Sequence, residues 1–229
     1  MNFSKLLLAF LFLVSISFCN TKKETKDTVE KVFGSFIIAL GENPNNKVQC
    51  VANFKKDDKD GDHISLNNST SIQFDSFNLS FDSVYFPQYD TEIDTSYFLG
   101  RHTWNITNNN KVKQYHFESK PFKIISEIPQ VIGKNDIIIK CESLQSTDKV
   151  TMLISGDYTD NSETIIDINP NNGYFIISKS ILDKIEGTNL LMYFNLSSVK
   201  NIPPDDFLTA GGILESTRVS KQYKFQLIR

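Results

Sequence analysis

Val48-Gln49-Cys50-Val51-Ala52-Asn53-Phe54 decides the fold class. Val48, Cys50, Ala52 and Phe54 recur at every second position with Gln49 and Asn53 between them. That period of two is the mark of a strand with one face in a core. The flanks agree. Before it, Gly41-Glu42-Asn43-Pro44-Asn45-Asn46 forms a turn, preceded by an apolar strand candidate from Phe33 to Leu40. After it, Asp60-Gly61 predicts a hairpin turn.

Outward from there the same texture continues. Short runs rich in Ile, Val, Phe and Tyr alternate with Asn, Asp and Gly clusters. Ser71 to Phe81 predicts a strand pair carrying Ile72, Phe74 and Leu79. Tyr97 to Ile106 and Val112 to Phe117 flank Asn108-Asn109-Asn110, expected as a three-residue loop. Seven further strands are expected: Phe122 to Ile128, Asp136 to Cys141, Val150 to Ile154, Glu163 to Ile168, Tyr174 to Ile177, Leu190 to Leu196 and Val219 to Ile228. One helical turn is expected over Ser180 to Ile185, ended by Gly187, and a long loop from Pro203-Pro204 through Gly211-Gly212.

The 229 residues are 40% apolar, enough for a core. The expected class is all-β, as two immunoglobulin-like β-sandwiches in tandem over residues 32–119 and 120–229. The immunoglobulin likeness rests on strand count and spacing, since Trp104 has no pair of cysteines in its own half. Strand parity predicts a first core of Val48, Cys50, Phe54, Ile72, Phe74, Trp104 and Ile106. It predicts a second of Ile137, Ile139, Cys141, Leu153, Ile166, Phe175, Ile177, Tyr193 and Phe225. Cys50 and Cys141 then fall in different cores and are expected as two separate buried thiols.

The first 18 residues differ. Lys5 is the only charge before Cys19, and Leu6 to Phe18 is apolar apart from serines. This run is shorter than the roughly 20 residues a membrane-spanning helix needs, so it reads as a secretory signal. Its end, Ser15-Ile16-Ser17-Phe18-Cys19-Asn20, resembles a bacterial lipoprotein signal. Ile16 and Ser17 suit that pattern, whereas Phe18 stands where a small residue is usual. The resemblance implies an acylated Cys19 as the mature N-terminus and attachment to the outer membrane, facing the periplasm or the cell surface. Ordinary cleavage after Ser17 is the alternative. The polar stretch to Lys31 reads as a tether. The Asn-, Lys- and Ile-rich style is similar to surface lipoproteins of Bacteroidota.

A net charge of −3 argues against nucleic acid as a partner. Gly-x-Ser-x-Gly, His-Glu-x-x-His, Gly-x-Gly-x-x-Gly and Walker motifs are all missing from the sequence, so no catalytic residue is assigned and the chain is expected not to be an enzyme. Ser146-Thr147-Asp148-Lys149 matches Ser-x-x-Lys, but in a polar turn. Tyr85 to Phe98 reads as a long loop mixing aromatics with acids. Tyr85, Phe86, Tyr89, Asp90, Glu92 and Asp94 are its ligand-binding candidates, because rings stack on sugars and carboxylates accept sugar hydroxyls. Packing of these aromatics in the core is the competing reading. Asp58, Asp60 and Asp62 are candidate Ca2+ ligands, although the EF-hand pattern fails at Lys56 and Asn67; no other cofactor is implied. A three-residue loop at Asn108 would set His102 opposite His116. The function expected is a non-catalytic, lipid-anchored envelope module binding a glycan or partner protein. A structural spacer and a hydrolase with unrecognised acids are the rivals.

Overall fold

The structure is a computed structural model that describes residues 31–41, 47–67, 69–133, 135–155, 163–185 and 187–228. The expected signal, Cys19 and most of the tether lie outside the described residues. Among those residues, no helix is long and apolar enough to cross a membrane.

The chain is all-β, as its period of two predicts. In the first half the strands are β1 (Val32–Gly41), β2 (Val48–Lys56), β3 (Ser71–Phe74), β4 (Phe77–Asn78), β5 (Ser80–Asp82), β6 (Gln88–Ile93), β7 (Gly100–Asn108) and β8 (Lys111–Ser119). There follow β9 (Lys123–Ile124), β10 (Val131–Ile132), β11 (Ile137–Glu142), β12 (Lys149–Ser155), β13 (Glu163–Ile168) and β14 (Tyr174–Ile177). After the one helical turn α1 (Lys179–Leu182) come β15 (Asn189–Ile202), β16 (Gly211–Val219) and β17 (Tyr223–Leu227).

One ten-stranded sheet runs through the molecule in the order β10-β17-β15-β16-β1-β2-β6-β5, with β12 on the other edge of β15 and β13 beyond it. A four-stranded sheet, β4-β3-β7-β8, and a three-stranded one, β14-β11-β9, complete the architecture. Two hydrophobic clusters result. The first joins β1, β2 and β6 to β3, β7 and β8 around Phe36, Phe54, Phe74 and Trp104. The second joins β12, β15 and β17 to β11 and β14 around Met152, Phe175 and Phe194.

Every residue expected in the first core is in the first cluster. Phe36 sits at its centre, 5.4 Å from Trp104, 5.5 Å from Tyr115 and edge-on to Phe54 at 5.8 Å. Fully burying each such ring contributes about 1.5–3 kcal/mol. Cys50 and Cys141 are free thiols in separate clusters. Burial pushes both thiols up, Cys141 to about 11.

Two elements differ from expectation. The stretch through Gly211-Gly212 is strand β16, not loop. It pairs in parallel with β1 from Phe33–Gly211 to Gly41–Val219 and brings Leu214 into the first cluster with Leu208 of the preceding loop. Gly212 is required there, because a Cβ would lie 2.3 Å from the Gly34 carbonyl oxygen. A cut between residues 119 and 120 would therefore part β16 from β1. In β12 and β15 the parity is the reverse of that expected for Leu153 and Tyr193. Met152, Ile154, Met192 and Phe194 fill the second cluster, while Leu153 and Tyr193 face each other on the opposite side of the sheet.

β15 connects the two clusters. Leu190, Met192, Phe194 and Leu196 enter the second, and Ile202, at the same parity, enters the first. Between them the sheet is lined by hydroxyls. Ser119 and Ser216 are hydrogen-bonded at 2.8 Å on the core-facing side, and Ser197 and Thr217 at 2.7 Å on the opposite face, all four buried.

Candidate binding surface

The segment expected as one long loop contains strand β6, and pairing with β2 sorts its residues by parity. Tyr89 and Ile93 enter the first cluster, and the Tyr89 hydroxyl accepts the Leu66 N–H at 3.2 Å. Tyr89 is thus core. Asp90 and Glu92 lie on the opposite face. Glu92 accepts the Gln49 carboxamide, and Asp94, beyond the strand, lies 3.7 Å from Lys47. Phe86 is half-buried, its ring 4.3 Å from that of His63. Tyr85 is 78% exposed and Val84 77% exposed, at the turn between β5 and β6. The candidates thus fall on three surfaces: the core, the outer sheet face and the hairpin tip.

The outer face at this edge is acidic and partly dry. The register sets Asp82 of β5 opposite Gln88 and Ser80 opposite Asp90. One step beyond the Ala52–Tyr89 pair, Asn53 of β2 falls opposite Gln88. The bridge between Lys55 and His63 puts His63 on the same face. Asn53 and Gln88 are both buried, and Asn53 Oδ1, Gln88 Oε1 and His63 Nδ1 have no hydrogen-bond partner. Gln88 Nε2 donates to Asp90 at 3.0 Å. Burial, with Asp82 and Glu92 close by, raises the Asp90 carboxyl above the ordinary range. Burial, with Lys55 near, lowers the His63 imidazole. Sequence reasoning missed Asn53, Gln88 and His63; their only trace is that Asn53 interrupts an apolar run.

Asp58, Asp60 and Asp62 occupy the exposed hairpin tip after β2. Asp58 Oδ1 accepts the Asp60 N–H at 2.8 Å, and the Asp62 carbonyl accepts the Lys56 N–H at 2.9 Å. Gly61 is fixed by the turn, since a Cβ would fall 1.7 Å from the Lys56 carbonyl oxygen. Lys59 lies 3.8 Å from Asp60. Among the described residues no group of three or more His, Cys, Asp or Glu is arranged to hold a metal ion.

The histidine pairing is corrected. Asn109 and Asn110 have φ of 47° and 63°, the left-handed pair of a two-residue type I′ turn. The register consequently runs His102–Phe117 and Thr103–His116. A one-residue change in loop length reverses the face. His102 is buried against Phe74 and Phe117, while His116 is exposed and bonded to the Thr103 hydroxyl at 2.9 Å. The His102 ring faces two acceptors, Asp75 Oδ2 at 2.9 Å and the Phe98 carbonyl at 3.1 Å. Both nitrogens are committed to tying the turn before β7 to the β3–β4 corner, so the ring is a structural clamp.

Asp148 and Asp205 are similarly engaged. Asp148 is buried and ion-paired with Lys120 at 2.8 Å. The Tyr115 hydroxyl donates to Asp205 at 3.0 Å, and Lys113 lies 3.2 Å from the same carboxylate. Ser146 lines an open cleft of about 440 Å³ bounded by Ser143 to Thr147 and Asn172, where its own N–H donates to Asn172 Oδ1 at 3.0 Å. No aromatic or charged side chain lines that cleft.

No family model matches the chain, and no curated protein matches it. Among solved structures it is similar to a tetra-tandem repeat in the extending region of a large adhesion protein. Identity is 10% and the TM-score 0.26, over 84% of this chain and 49% of that one. The chain thus spans about half the length of that structure. Likeness at this level decides neither fold nor activity.

Proposed function

We propose that this chain is a non-catalytic cell-envelope module, held by a lipid on Cys19, that engages a glycan or partner protein through the tip of the β5–β6 hairpin. The observation that carries the reading is the exposure of Val84 and Tyr85 at that tip, beside the acidic outer row of Asp82, Asp90 and Glu92. An apolar ring and carboxylates presented by a rigid sheet suit sugar hydroxyls and ring faces, or the rim of a protein interface. The non-catalytic part is supported by the engagement of His102, Asp148 and Asp205 and by the burial of both thiols.

Screening the purified protein against a glycan array tests the binding reading, with Tyr85→Ser as control. A saturable signal that Tyr85→Ser loses is the expected result. A signal unchanged by Tyr85→Ser removes the hairpin tip from the reading. A blank array, with no protein captured from envelope extracts, leaves the structural spacer, which the sheet shared by both cores also suits. Turnover of model glycosides or peptides would end the non-catalytic reading. Mass spectrometry of the mature N-terminus tests the acylated Cys19.

A further inference from the structure

We propose a Ca2+ site on the outer face of the sheet at the β2–β6–β5 edge, formed by the side-chain oxygens of Asn53, Gln88, Asp82 and Asp90. These are not the aspartates of the Asp58–Asp62 turn.

Two independent observations converge on these residues. The first is the pair of buried carboxamides. Asn53 is 2% exposed and Gln88 3% exposed, and Asn53 Oδ1 and Gln88 Oε1 are without any hydrogen-bond donor. Leaving a buried acceptor unsatisfied costs about 1–3 kcal/mol, so two such atoms side by side on adjacent strands call for a common partner. The orientation of Gln88 is fixed by its Nε2, which donates to Asp90 and so leaves the oxygen free. The second is uncompensated charge. Among the described residues no Lys or Arg pairs with Asp82, Asp90 or Glu92. Lys55, on the same face, donates its ammonium to the Lys59 carbonyl instead.

The register brings the four side chains together. Asn53, Gln88 and Asp82 form one row across three strands, and Asp90 lies two residues along β6 from Gln88 on the same face. Directly opposed side chains lie about 5 Å apart at Cβ and diagonal ones about 7 Å, while Asn53 and Asp82 flank Gln88 two strands apart, about 10 Å, a span their short side chains close through one ion between them at Ca–O bonds of about 2.3–2.6 Å. A hydrogen-bond donor such as water would satisfy the carboxamides but leave the carboxylates unneutralised. A divalent cation answers both. Carboxamide and carboxylate oxygens are the ligands Ca2+ takes, with water completing its shell of 6–8. Asp82 and Asp90 are half-buried, so their carboxylates border solvent while the two carboxamides do not.

Calorimetric titration of the metal-stripped protein with CaCl2, with thermal melts in Ca2+ and in EDTA, tests the site. Saturable binding is expected with Kd of about 0.1–1 mM, the range of extracellular calcium modules, with a higher melting temperature in Ca2+. Asp90→Asn and Asp82→Asn should each weaken binding by about tenfold or more, while Asp60→Asn binds as wild type. Far-UV circular dichroism in EDTA confirms that both variants are folded, and either one suffices. Absence of saturable heat in wild type overturns the proposal. So does wild-type binding by both folded outer-face variants, or loss of binding in Asp60→Asn alone.

Discussion

Replacing Lys120 by Met should destabilise the protein by about 2–3 kcal/mol, and the figure follows from what surrounds Asp148. Its side chain is 2% exposed, and its carboxylate takes three bonds: Lys120 Nζ at 2.8 and 3.1 Å and the Gln145 N–H at 2.8 Å. Removing one partner of a buried ion pair costs about 3–5 kcal/mol, because the survivor stays desolvated and charged. Two features pull the estimate down. The Gln145 bond remains, and the Lys120 side chain is itself 25% exposed, so water reaches the vacated position. Met keeps most of the stem packed near Phe122, whose ring centroid lies 5.8 Å from Nζ. Asp148→Asn should cost less, about 1–2 kcal/mol, because the orphaned ammonium turns to solvent. The double variant should fall short of the sum by about 1–2 kcal/mol, the coupling expected of a contacting pair. Urea unfolding at pH 7, followed by far-UV circular dichroism, measures all four corners of the cycle. A Lys120→Met variant within 0.5 kcal/mol of wild type, or additive single effects, would refute the reasoning; ~0.5 kcal/mol is the scatter of unrelated surface changes.

Three other outcomes are expected. Gly212→Ala should cost about 3 kcal/mol or more in urea unfolding, since its Cβ would lie 2.3 Å from the Gly34 carbonyl oxygen and push β16 off β1. Asn110→Gly should raise stability by about 0.5–1 kcal/mol in thermal melts, because Asn110 has φ 63° at the second turn position, where Gly carries no steric penalty. Burial pushes the Asp205 carboxyl up, but the N–H groups of Leu208 and Phe207, with Lys113 and Tyr115, hold it below the ordinary range. Its contribution is then present above the unfolded value of about 3.9 and lost as pH falls through the folded one, so Asp205→Asn should be less stable at pH 7 and show a shallower acid decline below about pH 4.

The sequence made the strands legible where one face is buried and the other wet. In β7 the alternation is clean, and Trp104 and Ile106 fall in the first cluster as parity requires; in β2 Cys50 and Phe54 do so too, although Val51 and Asn53 on its other face are buried as well. It failed where burial does not alternate. Strands β12 and β15 are apolar on both faces at Met152, Leu153, Ile154, Met192, Tyr193 and Phe194, so parity carries no information there and Leu153 and Tyr193 went to the wrong side. β16 was hidden by its glycines, which read as a breaker, although the close approach of Gly34 requires one of them. β6 was hidden because its outward residues are Gln88, Asp90 and Glu92, a composition that reads as loop until the partner strand is known. The His102 register turned on one residue of loop length, which only the backbone angles at Asn109 and Asn110 decide. Of the candidate surface, Tyr85 and the acids were visible. Asn53 and Gln88 were not, because a buried, unpaired carboxamide leaves no local pattern in the chain.

The shared sheet bears on how such a surface can work. β15 has 14 residues, about 48 Å at some 3.4 Å each, and serves both cores on one face. Loss of either core exposes half of it, so the two clusters are coupled through a single ladder and not only through the link at Lys120-Pro121. The hairpin tip lies at the far edge of that ladder, with β16, β1, β2 and β6 between β15 and β5. Sheet edges open at lower free energy than central strands, and β5 is a bare three residues with Asp82 at its end, a short charged edge of the kind that resists pairing with another chain. Rigidity at the centre and adaptability at the edge are thereby separated along one sheet. A ligand at Tyr85, or a cation at Asp82 and Asp90, would brace this edge of the sheet. The fold beneath it, held by Phe36, Trp104 and the β1–β16 pair, need not move.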